Sequence, residues 1–512
     1  MTANAPLSPA MIAPAPSATR GLAHKLFSFP VVLGTLLVVL ATFTSRSRFS
    51  DPDMWWHLKT GEIIWKTHSI PQVDLFSFTT NQHAYTPHEW LAQLSIYAAY
   101  HFGGYSGLML WLCLITSLVC IAGYVLCSLY SGNAKVAFLG AMGIWFFATV
   151  GISVRPQLLG YLCLLCELLI LCLGRSRSPR WFLALPLLFV VWVNLHGSFL
   201  FGLIVLGVVL LSACLEFRIG LLVSHRWDKQ RRNMLAAVFS LSIMALFLNP
   251  VGLSQLTYPL NTMFTQHIGL QYSSEWQPAP MNDVRVWALF GIAGLILIVP
   301  LLRRIELRAE ELLITGLGFA LAVQHERMLI VFGILVMPCL CRLIAGAWDS
   351  YDPGRESVVL NLIMMIVGVV PSVLGFPSSS YLLDQVNTSN PVKAVEFIRQ
   401  SGLSGRMLNE YIYGGYLIWA APDRKVFIDG RADVYEWTGV FGDYMDMMNI
   451  KADPGVLLDK YHIDFCLLSR EEPVVRVIPR LPGWKSIYED DRSVIFARST
   501  NDNANPKSPV IQ

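Results

Sequence analysis

The chain has 512 residues, of which 54% are hydrophobic and only 14% charged, and its formal net charge is +3. A mean hydropathy of +0.50 over that length excludes an ordinary soluble protein. The small net charge, with no long basic run, excludes nucleic acid as a partner, and the composition is that of a polytopic membrane protein.

Residues 1–25 are rich in Ala, Pro and Ser without hydrophobic periodicity and read as a disordered cytoplasmic tail. The first apolar span covers 26–43. Arg20 and Lys25 precede it and no small-residue cleavage site follows, so it reads as an anchor with a cytoplasmic N-terminus. Immediately beyond it, Ser50-Asp51-Pro52-Asp53-Met54-Trp55-Trp56-His57-Leu58 sets two carboxylates beside two indoles where hydrocarbon meets water. Carboxylates there can hold a divalent cation (Mg or Mn) or take a proton from a hydroxyl, and indoles favour headgroup depth. The first outer loop, 44–104, continues with Lys59, Glu62 and Lys66 on one helical face, which predicts a helix lying in the interface. Ser69-Ile70-Pro71 ends that helix. His88-Glu89-Trp90-Leu91 opens a second apolar stretch to about 102, also read as interfacial, because a full crossing would reverse the parity of every later span.

Further apolar segments at 105–130, 134–151, 157–173, 181–195, 198–222, 234–249, 285–302, 311–324, 328–345 and 357–376 bring the expectation to about eleven crossings, several of them short for a bilayer. Alternation places the arginine-rich loops inside, as the positive-inside rule requires. The outer turns then carry Arg155-Pro156-Gln157, Asn194-Leu195-His196-Gly197, Asn249-Pro250, Glu275-Trp276 and Gln324-His325-Glu326-Arg327. Five turns with ionisable or amide groups on one side predict a composite cavity. Glu167 stands apart, near mid-span in an apolar helix where an ionised carboxylate is costly. Nine of the ten cysteines lie in apolar segments, and no disulfide or zinc spacing follows.

Residues 377–500 have the pattern of an outer, periplasmic α/β domain. A helix is expected over 391–401 and strands over Arg406–Tyr411, Lys425–Asp429, Asp464–Leu468, Ser486–Tyr488 and Val494–Ala497. Gly414-Gly415 and Asp429-Gly430-Arg431-Ala432-Asp433 read as its polar turns, and 501–512 as a second disordered tail.

The chain resembles the GT-C superfamily of integral-membrane glycosyltransferases, which use polyprenyl-phosphate-linked sugars. The resemblance rests on the acidic pair Asp51 and Asp53 in the first outer loop, the interfacial helices there, the number of spans and the outer C-terminal domain. It is also similar to a group of bacterial membrane proteins that carry Asp-x-Asp-x-Trp-Trp-His-Leu (Asp51 to Leu58), Ser-Ile-Pro then Asp-x-Phe-Ser (Ser69 to Ser77) and His-Glu-Trp-Leu (His88 to Leu91). That group also has Arg-Pro-Gln (Arg155 to Gln157) and Asp-Gly-Arg-Ala-Asp (Asp429 to Asp433).

The resemblance implies a mainly α membrane protein acting in the bacterial cytoplasmic membrane. It would transfer a sugar, with inversion, from a polyprenyl-phosphate donor to a lipid, glycan or protein acceptor. It points to Asp53 or Asp51 as base or metal ligand. His57, His88, Glu89, Arg155, His196, Glu275, His325 and Arg327 are substrate-binding candidates, with Arg155, Arg327 and His325 chosen by chemistry and expected side as a phosphate clamp. Plainer readings stand beside these. Asp53 is a helix N-cap, Trp55 and Trp56 are belt anchors, and Glu89 opens a helix. The arginines snorkel, His196 is a satisfied turn residue, Glu275 a surface residue, and the Asp429–Asp433 turn structural rather than acceptor-binding. A ligase or polymerase of lipid-linked glycans, or a transporter of them, is the alternative function.

Overall fold

The structure, a computed structural model, describes residues 21–80, 83–265 and 268–499. The tails expected at the two ends therefore lie outside the described residues, except that Leu22–Leu26 is a short helix. The chain is a mainly α polytopic membrane protein with a β-containing C-terminal region, and it divides into two compact units.

The first unit comprises residues up to Arg48, Met109–Leu256 and Ser274–Pro377. Each apolar segment expected to span contains a helix: Phe29–Arg46, the later part of Trp90–Ser131, Ala134–Ala148, Gln157–Ser176, Ala184–Leu195, Phe199–Cys214, Lys229–Ala245, Val284–Arg303, Ala309–Gln324, Leu329–Ile344 and Val358–Leu374. The expected span 198–222 is corrected beyond Cys214, where Phe217–Ile219 pairs antiparallel with Leu222–Ser224. Helix is the form that meets every backbone donor within its own segment, which hydrocarbon demands. Length is less uniform than hydropathy. Five helices among the described residues are long and apolar enough to cross a membrane, or six if Val358–Leu374 and Ser379–Ser389 make one span.

The centre of this unit is Leu329–Ile344, buried along nearly its whole length. Small residues let its neighbours approach, as membrane helix packing requires. A Cβ on Gly140 would lie 2.3 Å from Cys341 Sγ, one on Gly143 2.6 Å from Met337, and one on Gly333 3.2 Å from Phe147. The helix ends are tied by part-buried ion pairs: Glu311 takes Arg342, and Glu310 takes Arg175 and the Ser212 hydroxyl. All ten cysteines are free thiols.

The second unit comprises Phe49–Leu108, Thr257–Ser273 and the chain from Ser378 onwards. Met54–Thr67 is the helix expected after the acidic pair, and Glu62 pairs with Lys59 at 2.7 Å and Lys66 at 2.6 Å. Trp55 and Trp56 are buried rather than belt residues. Trp55 meets Tyr105 and Tyr416 edge-on, and Trp65, more than a third exposed, is the indole that this helix presents outward. Gly61 lets the helix seat against the next one, since a Cβ would stand 2.2 Å from the Gln93 carbonyl. Trp90–Ser131 is two helices joined at Gly104, whose φ of 55° and ψ of −142° break the ladder, so the stretch to 103 is separate from the span that follows.

The tail forms a four-stranded sheet in the order Met407–Asn409, Phe465–Ser469, Ser493–Arg498, Trp484–Glu489. The first pair is parallel and the others antiparallel. The expected helix is present at Val392–Ser401. Two expectations need correction. Lys425–Asp429 is no strand: the Asn409 side chain accepts from Phe427 N at 2.8 Å and donates to Ile428 O at 2.7 Å, taking the place of a neighbouring strand. Val426 also bridges to Ser77 of the first loop. Gly414 and Gly415 are not a turn but lie inside the helix Tyr411–Ala420. There a Cβ would come 2.1 Å from the Ile428 carbonyl or 2.3 Å from that of Pro52.

Glu410, which precedes this helix, is buried and accepts from the Tyr444 hydroxyl at 3.0 Å and from Ser469 N at 3.3 Å. Burial, and then the Glu472 charge, push its carboxyl up to about 7. The folded state therefore holds a proton that the unfolded chain, with a carboxyl near 4.3, has already released. The stability from this group is fully present below about pH 4.3 and is lost as pH rises to about 7. Chemical denaturation of Glu410→Gln against wild type between pH 5 and 8 is expected to show the wild type losing on the order of 3 kcal/mol more than the variant.

Candidate active site

The acidic pair sits at the start of Met54–Thr67 in the second unit. Asp51 is nearly buried, and its Oδ1 accepts the Asp53 backbone N–H at 2.9 Å. Asp53 occupies the N-cap position that the plainer reading gave it, with no side-chain cap bond to the helix backbone. Its Oδ1 instead accepts from the Trp56 indole at 3.2 Å. Against the same oxygen lies Gly430 of the tail, where a Cβ would stand only 1.9 Å away.

The remaining first-loop candidates follow in sequence. The His57 ring lies 3.6 Å from that of Trp56, and its Nδ1 is 3.3 Å from Gln93 Nε2 and 3.8 Å from Glu89. Glu89 also faces His88 Nε2 at 3.6 Å. His88 stacks on Tyr258 with centroids 3.7 Å apart, and the Tyr258 hydroxyl donates to Asp433 at 3.2 Å. Burial pushes the His88 imidazole down to about 4, against a backbone bond to Thr86 that works the other way, so it is neutral at physiological pH. Asp51, Asp53, His57, His88 and Glu89 are thus one continuous set. The sequence offered no signal for Tyr258, and it marked Asp433 only as part of a polar turn.

That turn is held by a buried ion network. Asp74 and Asp429 are fully buried and Arg431 nearly so. Arg431 donates to Asp74 at 2.7 Å and, in bidentate fashion, to Asp429 at 2.8 and 2.6 Å. Ser77 and Thr80 hydroxyls complete Asp74, the Tyr435 hydroxyl completes Asp429, and the guanidinium lies over Phe76 and Tyr85. A charge can stay buried at this depth only when its partners are this complete.

In the first unit the structure gathers a second set. Glu275 accepts from Arg155 at 2.7 Å and lies 3.9 Å from Arg327. Arg327 also donates to Gln157 at 3.0 Å and lies over the Trp276 ring, while His325 Nδ1 is 2.6 Å from the Trp276 carbonyl. The arginines are therefore ion-paired rather than snorkelling, with Glu275 as the carboxylate they share. His196 closes its turn with Ser198, Nδ1 to Oγ 2.8 Å, as a satisfied turn residue does. Glu167 is fully buried, with neither carboxylate oxygen hydrogen-bonded among the described residues.

Among the described residues no three His, Cys, Asp or Glu side chains converge as a metal cage. A cation held by one or two carboxylates and completed by substrate phosphate oxygens does not need such a cage.

No family model and no curated protein matches the chain in sequence. Solved structures match in fold. ArnT from Cupriavidus metallidurans bound to undecaprenyl phosphate superposes with a TM-score of 0.53 at 14% identity, over 94% of this chain and 99% of that one. An Archaeoglobus fulgidus oligosaccharyltransferase, tethered to an acceptor peptide containing the NVT sequon, gives 0.52 at 12% identity, over 87% of this chain and 70% of that one. The chain shares its fold with these two proteins.

Replacing Arg431 with Gln would leave two buried carboxylates without their cation and is expected to destabilise the second unit by about 3–5 kcal/mol, measurable by chemical denaturation. Burial would raise the Asp74 carboxyl, but Arg431 and then the Ser77 and Thr80 hydroxyls hold it at about 2. Its contribution is therefore present above the unfolded value near 3.9 and is lost as pH falls from about 4 toward 2. Asp74→Asn is expected to flatten that acid limb.

Proposed function

We propose that this chain is a GT-C glycosyltransferase. It moves a sugar from a polyprenyl-phosphate-linked donor to a lipid, glycan or protein acceptor at the outer face of a bacterial cytoplasmic membrane. The observation that carries the reading is Asp53: a carboxylate at the head of the first-loop helix whose Oδ1 accepts the Trp56 indole N–H, in a chain with this fold.

A neutral hydroxyl is a poor nucleophile, so transfer needs a base beside it. In this reading the Asp53 carboxylate takes the acceptor O–H proton as that oxygen bonds to the anomeric carbon. The bond from that carbon to the donor phosphate breaks, the electron pair leaves on the polyprenyl phosphate, and the configuration inverts. Arg155 and Arg327 are assigned to the phosphate, where charge-assisted bonds from guanidinium are strong. Their pairing with Glu275 supports this, since a phosphate would compete for the same donors. His325 orients Trp276, and with it the face on which Arg327 lies. A divalent cation bound at Asp51 and Asp53 would supply further charge neutralisation at the phosphate.

The basic group at Arg155, His325 and Arg327 also suits a ligase of lipid-linked glycans, and the test separates the two. Purified full-length protein is incubated in detergent with undecaprenyl-phosphate-linked glucose, mannose, galactose or N-acetylglucosamine and a membrane extract as acceptor. Released undecaprenyl phosphate is the readout. Asp53→Asn is expected to lower turnover about 10²- to 10⁴-fold with folding retained, and undiminished turnover would remove Asp53 from the chemistry. Arg327→Gln is expected to weaken undecaprenyl phosphate binding roughly 10- to 100-fold.

The tail is assigned to the outer side. A single cysteine replacing Trp437, which is exposed, is expected to react with an impermeant maleimide in intact spheroplasts. Labelling only after lysis would reverse the topology.

A further inference from the structure

We propose that Gly430 and the Asp429–Asp433 turn are a positioning element for the Asp53 carboxylate, so that the C-terminal region is part of the catalytic apparatus and not an appended domain. The inference rests on the reading of Asp53 as the base.

Three observations within the second unit carry it. The missing Cβ of Gly430 is the space that Asp53 occupies: an added carbon would lie 1.9 Å from Oδ1, 3.1 Å from Cγ and 3.3 Å from Trp56 Nε1. It would therefore overlap both the carboxylate and the indole bonded to it. The turn itself has little freedom to retreat. Asp429 and Arg431 on either side of Gly430 are locked with Asp74 and Tyr435, and the Tyr411 hydroxyl donates to the Gly430 carbonyl at 3.1 Å. The lock also reaches back into the first loop, because Asp74 and Asp53 belong to the same segment of the unit. The turn that sets one limit on the carboxylate is thus clamped to the loop that bears it.

This arrangement separates positioning from folding. At Gly414 and Gly415 an added Cβ meets backbone, the carbonyls of Ile428 and Pro52, and relief requires the elements to part. At Gly430 it meets the tip of a side chain with two rotatable bonds, so the cheapest response is for the Asp53 carboxylate to swing off the Trp56 indole while the fold stays intact. A reacting group misplaced by about 1 Å can lose on the order of 10²-fold in rate without loss of substrate affinity.

The test compares Gly430→Ala with wild type, Gly414→Ala and Asp53→Asn as full-length protein, using the undecaprenyl-phosphate-linked sugar that wild type turns over. Gly430→Ala is expected to lower kcat about 10- to 100-fold, to leave donor KM within about threefold, and to change thermal stability much less than Gly414→Ala does. In [15N]tryptophan-labelled protein the Trp56 indole resonance, assigned with Trp56→Phe, is expected to move in Gly430→Ala, which reports the carboxylate leaving the indole without recourse to activity. Tyr411→Phe, which removes the hydroxyl bonded to the Gly430 carbonyl, is expected to lower kcat severalfold with stability near wild type. Wild-type kcat together with an unmoved indole resonance in Gly430→Ala overturns the proposal, and so does unfolding of Gly430→Ala combined with wild-type kcat in Tyr411→Phe. If Asp53→Asn itself keeps full turnover, the functional reading fails first. Loss in Asp53→Asn without loss in Gly430→Ala and Tyr411→Phe leaves that reading standing and removes only this one.

Discussion

One buried guanidinium organises the second unit. Arg431 is held between Asp74 of the first loop and Asp429 of the tail, residues more than three hundred positions apart in the chain. Moving a charge out of water costs several kcal/mol per ion, and a buried pair offsets that cost only when every remaining donor and acceptor is also met. Here the Ser77, Thr80 and Tyr435 hydroxyls and two aromatic faces meet them. The energetic value of such a network is less its net stabilisation than its intolerance of alternatives: any other pairing of loop and tail strands an uncompensated charge. The bridge between Ser77 and Val426 and the burial of Tyr85 in the tail core follow from that registration.

The membrane helices obey a different constraint. Apolar faces gain little by leaving lipid for protein, so their association relies on close approach. Glycines at 140, 143 and 333 supply that approach around Leu329–Ile344. Charges enter this unit where helix ends leave the apolar region, as the Arg342–Glu311 and Arg155–Glu275 pairs, with Glu167 as the buried exception. The two units thus divide the chemistry. The second unit carries the acidic pair with its imidazoles, and the first the arginines grouped at Glu275.

The candidate residues were legible to different depths. Asp51 and Asp53 stand out in the sequence because acidic residues next to paired tryptophans at a membrane boundary need a reason. The pairing of Arg155 with Glu275 and Arg327 was not legible, since the three lie in separate turns and nothing local couples them; only their common expected side hinted at it. The indoles depart from their composition in the other direction. Trp55 and Trp56 suit a headgroup belt by composition, yet Trp55 fills a site between Tyr105 and Tyr416, a partnership that residue type cannot reveal. Tyr258 had no signal at all, because a tyrosine in the segment between two spans, helical over Leu253–Thr265, is ordinary until His88 is found stacked upon it.

By itself the sequence determined that the chain enters a membrane, which segments are helical there, and that the region after residue 376 folds as α/β. Hydropathy and periodicity are local properties, and the hydrocarbon solvent leaves an apolar segment no alternative to helix. Tertiary structure decided what the tail's glycines are for. Gly414, Gly415 and Gly430 look like turn residues in the sequence, whereas each is a place where a side chain would collide with the Ile428 carbonyl, the Pro52 carbonyl or the Asp53 carboxylate. Steric exclusion is a relation between segments distant in the chain, and no window along it contains both parties.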